Sequence, residues 1–168
     1  MYCQLLAALL IAAPPRDTIP PVAAGFMTEH ASLLRSFNTL VQKAVAPTAT
    51  RNDRASLVLF LRAELLAQSR AEQQILYPVV DSVLGTKGYV SATLAVDDRA
   101  IERLVNDLGP LAAAPDPEAF YRSVWGLDAI MRSQFDKIEQ VALPALRQKL
   151  SDREIQALLA RMQEAERP

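Results

Sequence analysis

The side chains best suited to chemistry in this sequence are its only imidazole, His30, and a carboxylate on a later apolar segment, Glu72. A neutral imidazole and carboxylates are ligands for iron and other divalent metals, and a buried carboxylate can also act as a general base. A glutamine, Gln68, stands four residues before Glu72. An amide oxygen is a weak metal ligand, but an amide both donates and accepts hydrogen bonds. These residue types indicate either a ligand-poor metal site or a hydrogen-bonded polar cluster.

Two interpretations of His30, the only histidine, therefore compete. In the first, His30 is a metal ligand in a site with Glu72 and other carboxylates. In the second, His30 is a core residue that hydrogen-bonds a neighbouring carboxylate, which supplies the partner that a buried carboxylate needs. We favour the second interpretation, because a lone inward-facing histidine usually has a structural role.

The elements that carry these residues are predicted to be helices. Apolar residues of the first segment recur at three- and four-residue steps, which indicates an amphipathic helix; they are Phe26, Leu33, Leu34, Phe37, Leu40 and Val41. A second helix is predicted from near Asp53 to Gly85, and a third from about 91 to 108, ending at Gly109 and Pro110. No stretch alternates with period two, so we expect no sheet.

Two further helices follow the loop at residues 111–120. The first is predicted to be about thirty residues long, and the second begins at a capping box formed by Ser151 and Glu154. Four long helices with short connections predict an all-α, up-down-up-down four-helix bundle, with short extra helices at the N- and C-termini.

A faint internal repeat relates the second and fourth long helices. The segments EQQILYPVVDSVL and EQVALPALRQKL both place an acidic residue before an apolar run that contains a proline. Pro78 and Pro144 each remove one backbone hydrogen bond, so both helices should kink at matching heights. The repeat predicts two helix pairs related by pseudo-symmetry.

The N-terminal segment MYCQLLAALLIAA is apolar but is shorter than the roughly 20 residues of a membrane span. No Lys or Arg precedes the apolar run, so we expect no cleaved signal peptide. Leu5, Leu6, Leu9 and Leu10 would form one stripe of a short helix. We therefore expect residues 1–18 to be an apolar helix with a Pro-rich link to a bundle at 19–168, and residues 2–13 to contact a protein partner or a second copy of the chain.

Composition limits the class of protein. The 18 basic and 19 acidic side chains are mixed along 168 residues, so no charged surface for nucleic acid or an anionic membrane is expected. Cys3 is the only cysteine, which excludes an internal disulfide and favours a cytoplasmic location. One compact domain with a sizeable core fits this length and the 51% content of hydrophobic residues.

The sequence resembles the hemerythrin-like family, also called HHE cation-binding domains, over about residues 20–160. The segments that carry the resemblance are EHASLLRSF, QSRAEQQILYP, VDDRAIERLVNDL and QFDKIEQVALP, in the family's helix order. The resemblance implies a bacterial-type four-helix bundle that holds two irons between its helices. It places the former metal-ligand positions at His30, Gln68, Glu72, Asp98, Gln134 and Ile138.

The departures from the family pattern bear on the cofactor. Only His30 and Glu72 keep the family's residue types, Asp98 could still bind metal, and Ile138 cannot. We therefore predict no di-iron centre and most simply no cofactor. The alternative is iron or another divalent metal at a reduced site of His30, Glu72 and Asp98, assisted by Glu64 or Glu102.

Three hypotheses about function remain. The leading one is a non-enzymatic binding, interaction or regulatory module, which associates with a protein partner or as an oligomer. The second is a metal-binding protein in iron, oxygen or redox sensing, with a reduced site at His30, Glu72 and Asp98. The third is a small-molecule binder or an enzyme that uses the vacated metal cavity.

Overall fold

The computed structural model describes residues 23–85 and 88–167, and within these ranges it contains helices and no strand. The α-helices are α1 (Ala23–Ala44), α2 (Arg51–Phe60), α3 (Leu66–Ala71), α4 (Tyr77–Leu84), α5 (Tyr89–Ala113), α6 (Glu118–Lys137), α7 (Leu143–Arg147) and α8 (Asp152–Glu166). Three π-helical segments interrupt the long helices: π1 (Leu61–Leu65), π2 (Glu72–Leu76) and π3 (Ile138–Ala142). The second long helix therefore comprises α2, π1, α3, π2 and α4, and the fourth comprises α6, π3 and α7. The predicted all-α class is confirmed. The predictions for residues 2–13 lie outside the described residues.

Local signals explain where several helices begin and end. Thr50 caps α2 in a capping box with Asp53, and Ser151 caps α8 in a capping box with Glu154, as the sequence predicted for the latter. Gly85 ends α4 in the left-handed region at φ 63°, where a residue without a Cβ is unstrained. The predicted stop at Gly85 is therefore confirmed.

The third long helix does not end where the sequence predicted. α5 continues through Gly109 and Pro110 as far as Ala113. Two tertiary contacts hold the extra turn: Ala112 is buried, and its carbonyl accepts a hydrogen bond of 3.0 Å from Nε of Arg54. These contacts outweigh the hydrogen bond that proline removes from a helix.

Contacts between distant residues define the topology. His30 meets Glu139 while Asn38, further along α1, meets Arg132, so α1 and the fourth long helix are antiparallel. Asp98 meets Tyr77 near the start of α5, and Ala112 meets Arg54 near its end, so α5 runs antiparallel to the second long helix. Such pairings give the up-down-up-down bundle that the sequence predicted.

Two apolar clusters form the core, one towards each end of the bundle. The first includes Phe37, Leu57, Val105, Leu108, Phe120 and Leu127. The second includes Phe26, Leu76, Val80, Leu94, Leu146 and Met162, so α8 packs into it. Helix α8 thus completes one half of the core and closes that end of the bundle.

Candidate functional site

Buried polar side chains lie between the two apolar clusters, and we call them the polar layer. They are His30, Gln68, Ser69, Glu72, Asp98 and Gln134, each no more than 6% exposed. Phe135 belongs to the first apolar cluster, whereas Ile138, less than one turn later, belongs to the second. The polar layer therefore crosses the bundle where the apolar packing changes from one cluster to the other. Because buried polar groups require hydrogen-bond partners, each side chain of the layer is expected to have at least one.

Two of the π-helical segments accommodate prolines next to the polar layer. Pro78 and Pro144 lack an N–H, and each ring would clash with the carbonyl four residues earlier, Gln74 or Gln140, in a regular helix. Both carbonyls lie inside π2 or π3, where the wider turn accommodates the proline. In the fourth long helix, Glu139 lies at the start of π3, one turn after Phe135, and reaches His30 from there.

His30 is held by two carboxylates and one aromatic ring. Its Nδ1 lies 2.8 Å from Oε1 of Glu139, and its Nε2 lies 3.5 Å from Oε1 of Glu72. The second distance suits an ion pair but is too long for a good hydrogen bond, and Nε2 has no hydrogen-bond partner among the described residues. The imidazole stacks on Phe135 with ring centroids 4.0 Å apart and planes 5° from parallel. These contacts suit a positively charged ring.

Burial lowers the pKa of His30, but the hydrogen bonds and negative charges of Glu139 and Glu72 outweigh it and raise the pKa to about 9. His30 is consequently an imidazolium at neutral pH, and its Nδ1–H donates a hydrogen bond to Glu139. An imidazolium has no lone pair for a metal. A metal ion would have to displace that proton.

Asp98 is the second centre of the polar layer. Ser69 donates to Oδ1 at 2.7 Å, and the Tyr77 hydroxyl donates to Oδ2 at 2.7 Å. Gln134 Nε2 also donates to Oδ1, at 2.5 Å. Burial raises the pKa of Asp98, while these three hydrogen bonds oppose the rise. Both carboxylate oxygens of Asp98 are thus already bound by protein donors.

Gln134 joins the two halves of the layer. Its Nε2 lies 3.1 Å from the Tyr77 hydroxyl and 3.3 Å from Oε2 of Glu72, in addition to its contact with Asp98. Gln68 donates to the other oxygen of Glu72 at 3.2 Å. Burial raises the pKa of Glu72, although its contacts with His30 and Gln68 counteract that shift. One hydrogen-bonded network therefore connects Glu72 to Asp98 across the bundle.

The structure divides the residues that the sequence singled out. His30 and Glu72 lie together, whereas Asp98 contacts neither and is reached only through Gln134. Gln68 and Gln134 are both buried in the bundle interior, while Glu64 and Glu102 are exposed.

Three participants were missed: Glu139, Tyr77 and Ser69. Tyr77 lies beside the proline that drew attention to this helix, and an inward-facing phenol needs a partner. Glu139 lies four residues after the apolar Phe135, and that helical spacing is the signal that could have found it.

The donor set can be tested against the metal centre that the resemblance implies. A pair of irons would need several neutral imidazoles, but the chain has one histidine, and its ring is protonated. Ile138, at a former ligand position, is fully buried in the second apolar cluster. Among the described residues, no group of three or more His, Cys, Asp or Glu side chains is arranged to hold a metal ion. The residues present do not fit a di-iron group.

A comparison with family models matches residues 22–146 to the hemerythrin HHE cation-binding domain. No curated protein and no solved structure matches the chain. Within the described part of the chain, no helix combines the length and apolar character needed to cross a lipid bilayer. The match covers the four long helices and every residue of the polar layer.

Proposed function

From the fact that this chain belongs to the hemerythrin HHE cation-binding family, we propose that it is a metal-free member acting as a non-enzymatic binding or regulatory module. The observation that carries the proposal is the network joining Glu72, Gln134 and Asp98 at former ligand positions. Proteins of this family usually hold iron at these positions. Here amide and hydroxyl donors satisfy the carboxylates, and such a network ties the helices together without an ion.

Metal content tests this proposal directly. We expect protein purified without chelators to contain far less than one metal ion per chain, and its absorption spectrum to lack oxo-iron bands. Loading with ferrous iron under anaerobic conditions should leave the melting temperature unchanged, because an ion that binds only the folded state would raise it. Elemental analysis that finds close to two irons per chain would overturn the proposal.

A reduced metal site is the second candidate, and one observation favours it. Nε2 of His30 is buried and lacks a hydrogen-bond partner among the described residues, while Glu72 stands beside it. A single divalent ion there would bind His30 and Glu72 after loss of the imidazole proton, so its affinity would rise with pH. Binding of one ion per chain that tightens between about pH 7 and pH 9 would favour this candidate over the first.

For the module's partner we propose a second copy of the chain, contacted through residues 2–13. The support is the stripe of Leu5, Leu6, Leu9 and Leu10, because four exposed leucines form a patch that a monomer rarely tolerates. Deletion of residues 2–13 should lower the mass measured by light scattering. A full-length variant with Leu6 and Leu9 changed to Ser should do the same. Equal masses for all three proteins would exclude this contact.

A further inference from the structure

The last turn of α8 lies over a cavity that leads to the polar layer. Helix α8 packs on α3, π2 and α1, burying Ile155, Leu158 and Met162 in the second apolar cluster. Beyond these residues, the helix ends at Glu166 beside a cavity of about 210 Å³. The cavity is lined by Glu29, Ser32, Leu33, Ser36, Phe60, Glu64, Gln68 and Glu166. Gln68 connects this cavity to Glu72, because it lines the wall and donates to that carboxylate.

The carboxyl group of Glu166 is in an unfavourable place for a charge. Its Oε1 is enclosed by protein and has no hydrogen-bond partner among the described residues. Two other carboxylates, Glu29 and Glu64, line the same cavity, and the buried Glu72 lies behind Gln68. An enclosed carboxylate without a donor loses its hydration and is repelled by neighbouring negative charges.

We propose that the last turn of α8 is a proton-controlled cover over this cavity, docked while Glu166 is protonated and released when Glu166 ionises. The neutral carboxyl group can rest against the cavity wall without the cost of burying a charge. The ionised group is better solvated when the turn moves outwards. Release would open the route through the cavity to Gln68.

The charged groups around Glu166 come from every element on which it packs. Helix α1 contributes Glu29 and, deeper in the bundle, the imidazolium of His30; Glu64 comes from π1 and Glu72 from π2. On the outer side, a second cavity that Glu166 also lines carries Arg62, Arg70 and Arg167. None of these arginines makes an ion pair with Glu166, and Arg167 pairs instead with Glu164. Within the described residues, the inner face of Glu166 is therefore mainly negative.

Burial, followed by the charges of Glu29, Glu72 and Glu64, raises the pKa of Glu166 to about 7 in the docked helix, against an ordinary value of 4.5. Between these two pH values, the released form gives up its proton before the docked form does. Docking therefore weakens as the pH rises from about 4.5 to about 7 and changes little above that. Because Glu166 is partly exposed, solvent screening reduces the effect, and we expect a change of about tenfold in the docking equilibrium.

Hydrogen exchange of the full chain, read by mass spectrometry and corrected for intrinsic rates, tests the proposal. Between about pH 5 and pH 8, protection of peptides from residues 160–167 should fall about tenfold relative to peptides from α5. The α5 peptides remove the global effect of His30, Glu72 and Asp98 on stability. Glu166→Gln, which is neutral at every pH, should keep the turn protected throughout.

Two other variants complete the design. Glu164→Gln lies on the same turn but is solvent-exposed, so it should retain the wild-type pH dependence. Glu64→Gln removes an exposed neighbouring charge and should move the midpoint to lower pH while the protein stays folded. If Glu166→Gln loses protection with pH as wild type does, or if Glu64→Gln leaves the midpoint unchanged, the proposal is wrong. The readout involves neither metal nor partner, so it is independent of the proposed function.

Discussion

At the scale of single residues, Glu139 controls the charge of the polar layer. It is the partner of His30 Nδ1, and this hydrogen bond is the largest single contribution that raises the pKa of His30. Glu139→Gln should therefore lower that pKa by about one unit or more. Because His30 is the only histidine, its imidazole signals in a proton NMR titration need no assignment.

An exposed carboxylate of α5 provides the control for that titration. Glu102→Gln removes the same charge from the surface of the bundle and should leave the pKa of His30 within a few tenths of the wild-type value. Identical titrations of the wild type and both variants would mean that Glu139 does not hold the proton on His30.

Ile138 gives a second prediction at this scale. A family pattern read from the sequence suggests that glutamate at position 138 would restore a ligand, but the structure places this side chain in an apolar cluster. Ile138→Glu should lower the free energy of unfolding by about 3–5 kcal/mol, the usual cost of an unpaired buried charge. Ile138→Leu should cost less than about 1.5 kcal/mol. Urea denaturation of both variants at neutral pH measures these two losses. An Ile138→Glu variant as stable as Ile138→Leu would contradict the apolar packing of position 138.

At the scale of elements, the crossing of α1 and α8 depends on a glycine. A Cβ at Gly25 would clash with the end of the Leu159 side chain, whereas a Cβ at Gly126, on α6, would meet nothing within 4 Å. Replacing a helical glycine by alanine stabilises by about 0.8–1 kcal/mol when space allows. Gly126→Ala should show this gain in a urea melt. Gly25→Ala should show little of this gain in stability, because Leu159 must shift and α8 then packs less closely on α1.

That comparison has a clear contrary outcome. Equal stabilisation by both alanines would show that α8 does not pack on α1 at Gly25. Hydrogen exchange in α8 should then be the same in both variants, instead of faster in Gly25→Ala.

The sequence predicts most of the elements because their signals are local. Apolar spacing locates the helices, and the Ser151 capping box and Gly85 fix two of their ends. The predicted end at Gly109 and Pro110 is wrong because contacts of Ala112, remote in sequence, extend α5. Local propensity cannot include such contacts.

The polar layer was predicted only in part for a related reason. His30 and Glu72 stand out as the only histidine and as a carboxylate on an apolar helix face, whereas Asp98 was located by the family resemblance. Glu139 was not, because the family pattern drew attention to position 138, although 139 lies one helical turn after Phe135, which stacks on His30. Which of two neighbouring residues reaches His30 depends on how the helices pack against each other, which the local pattern does not encode.

At the scale of the whole molecule, the raised pKa of His30 predicts how stability depends on pH. The folded chain holds this proton up to about pH 9, while the unfolded chain releases it near pH 6.5. The stabilisation is thus complete below about pH 6.5 and is lost as the pH rises to about 9, by at most about 3 kcal/mol. Urea denaturation across this range should show the decline.

A variant without the imidazole isolates this effect. His30→Gln should be less stable than wild type at pH 6.5 by about 1–3 kcal/mol, since buried carboxylates lose a charged partner. Its stability should also vary less between about pH 6.5 and pH 9. If the variant's stability falls with pH as steeply as that of wild type, the pH dependence belongs to other groups. Glu72 and Asp98 are the first of these, because burial raises their pKa values.

The position of the polar layer between two apolar clusters also governs the alignment of the helices along the bundle axis. Apolar side chains tolerate sliding, since one leucine can replace another against the same neighbours. A slide of one helical turn, about 5.4 Å, would instead move Gln134 away from Asp98 and bring an aliphatic side chain against it. Every such misalignment would leave a carboxylate without its donors, at a cost of about 1–3 kcal/mol for each group. The layer therefore selects one register among several that the apolar parts of the helices would accept, as a single buried asparagine does in a coiled coil.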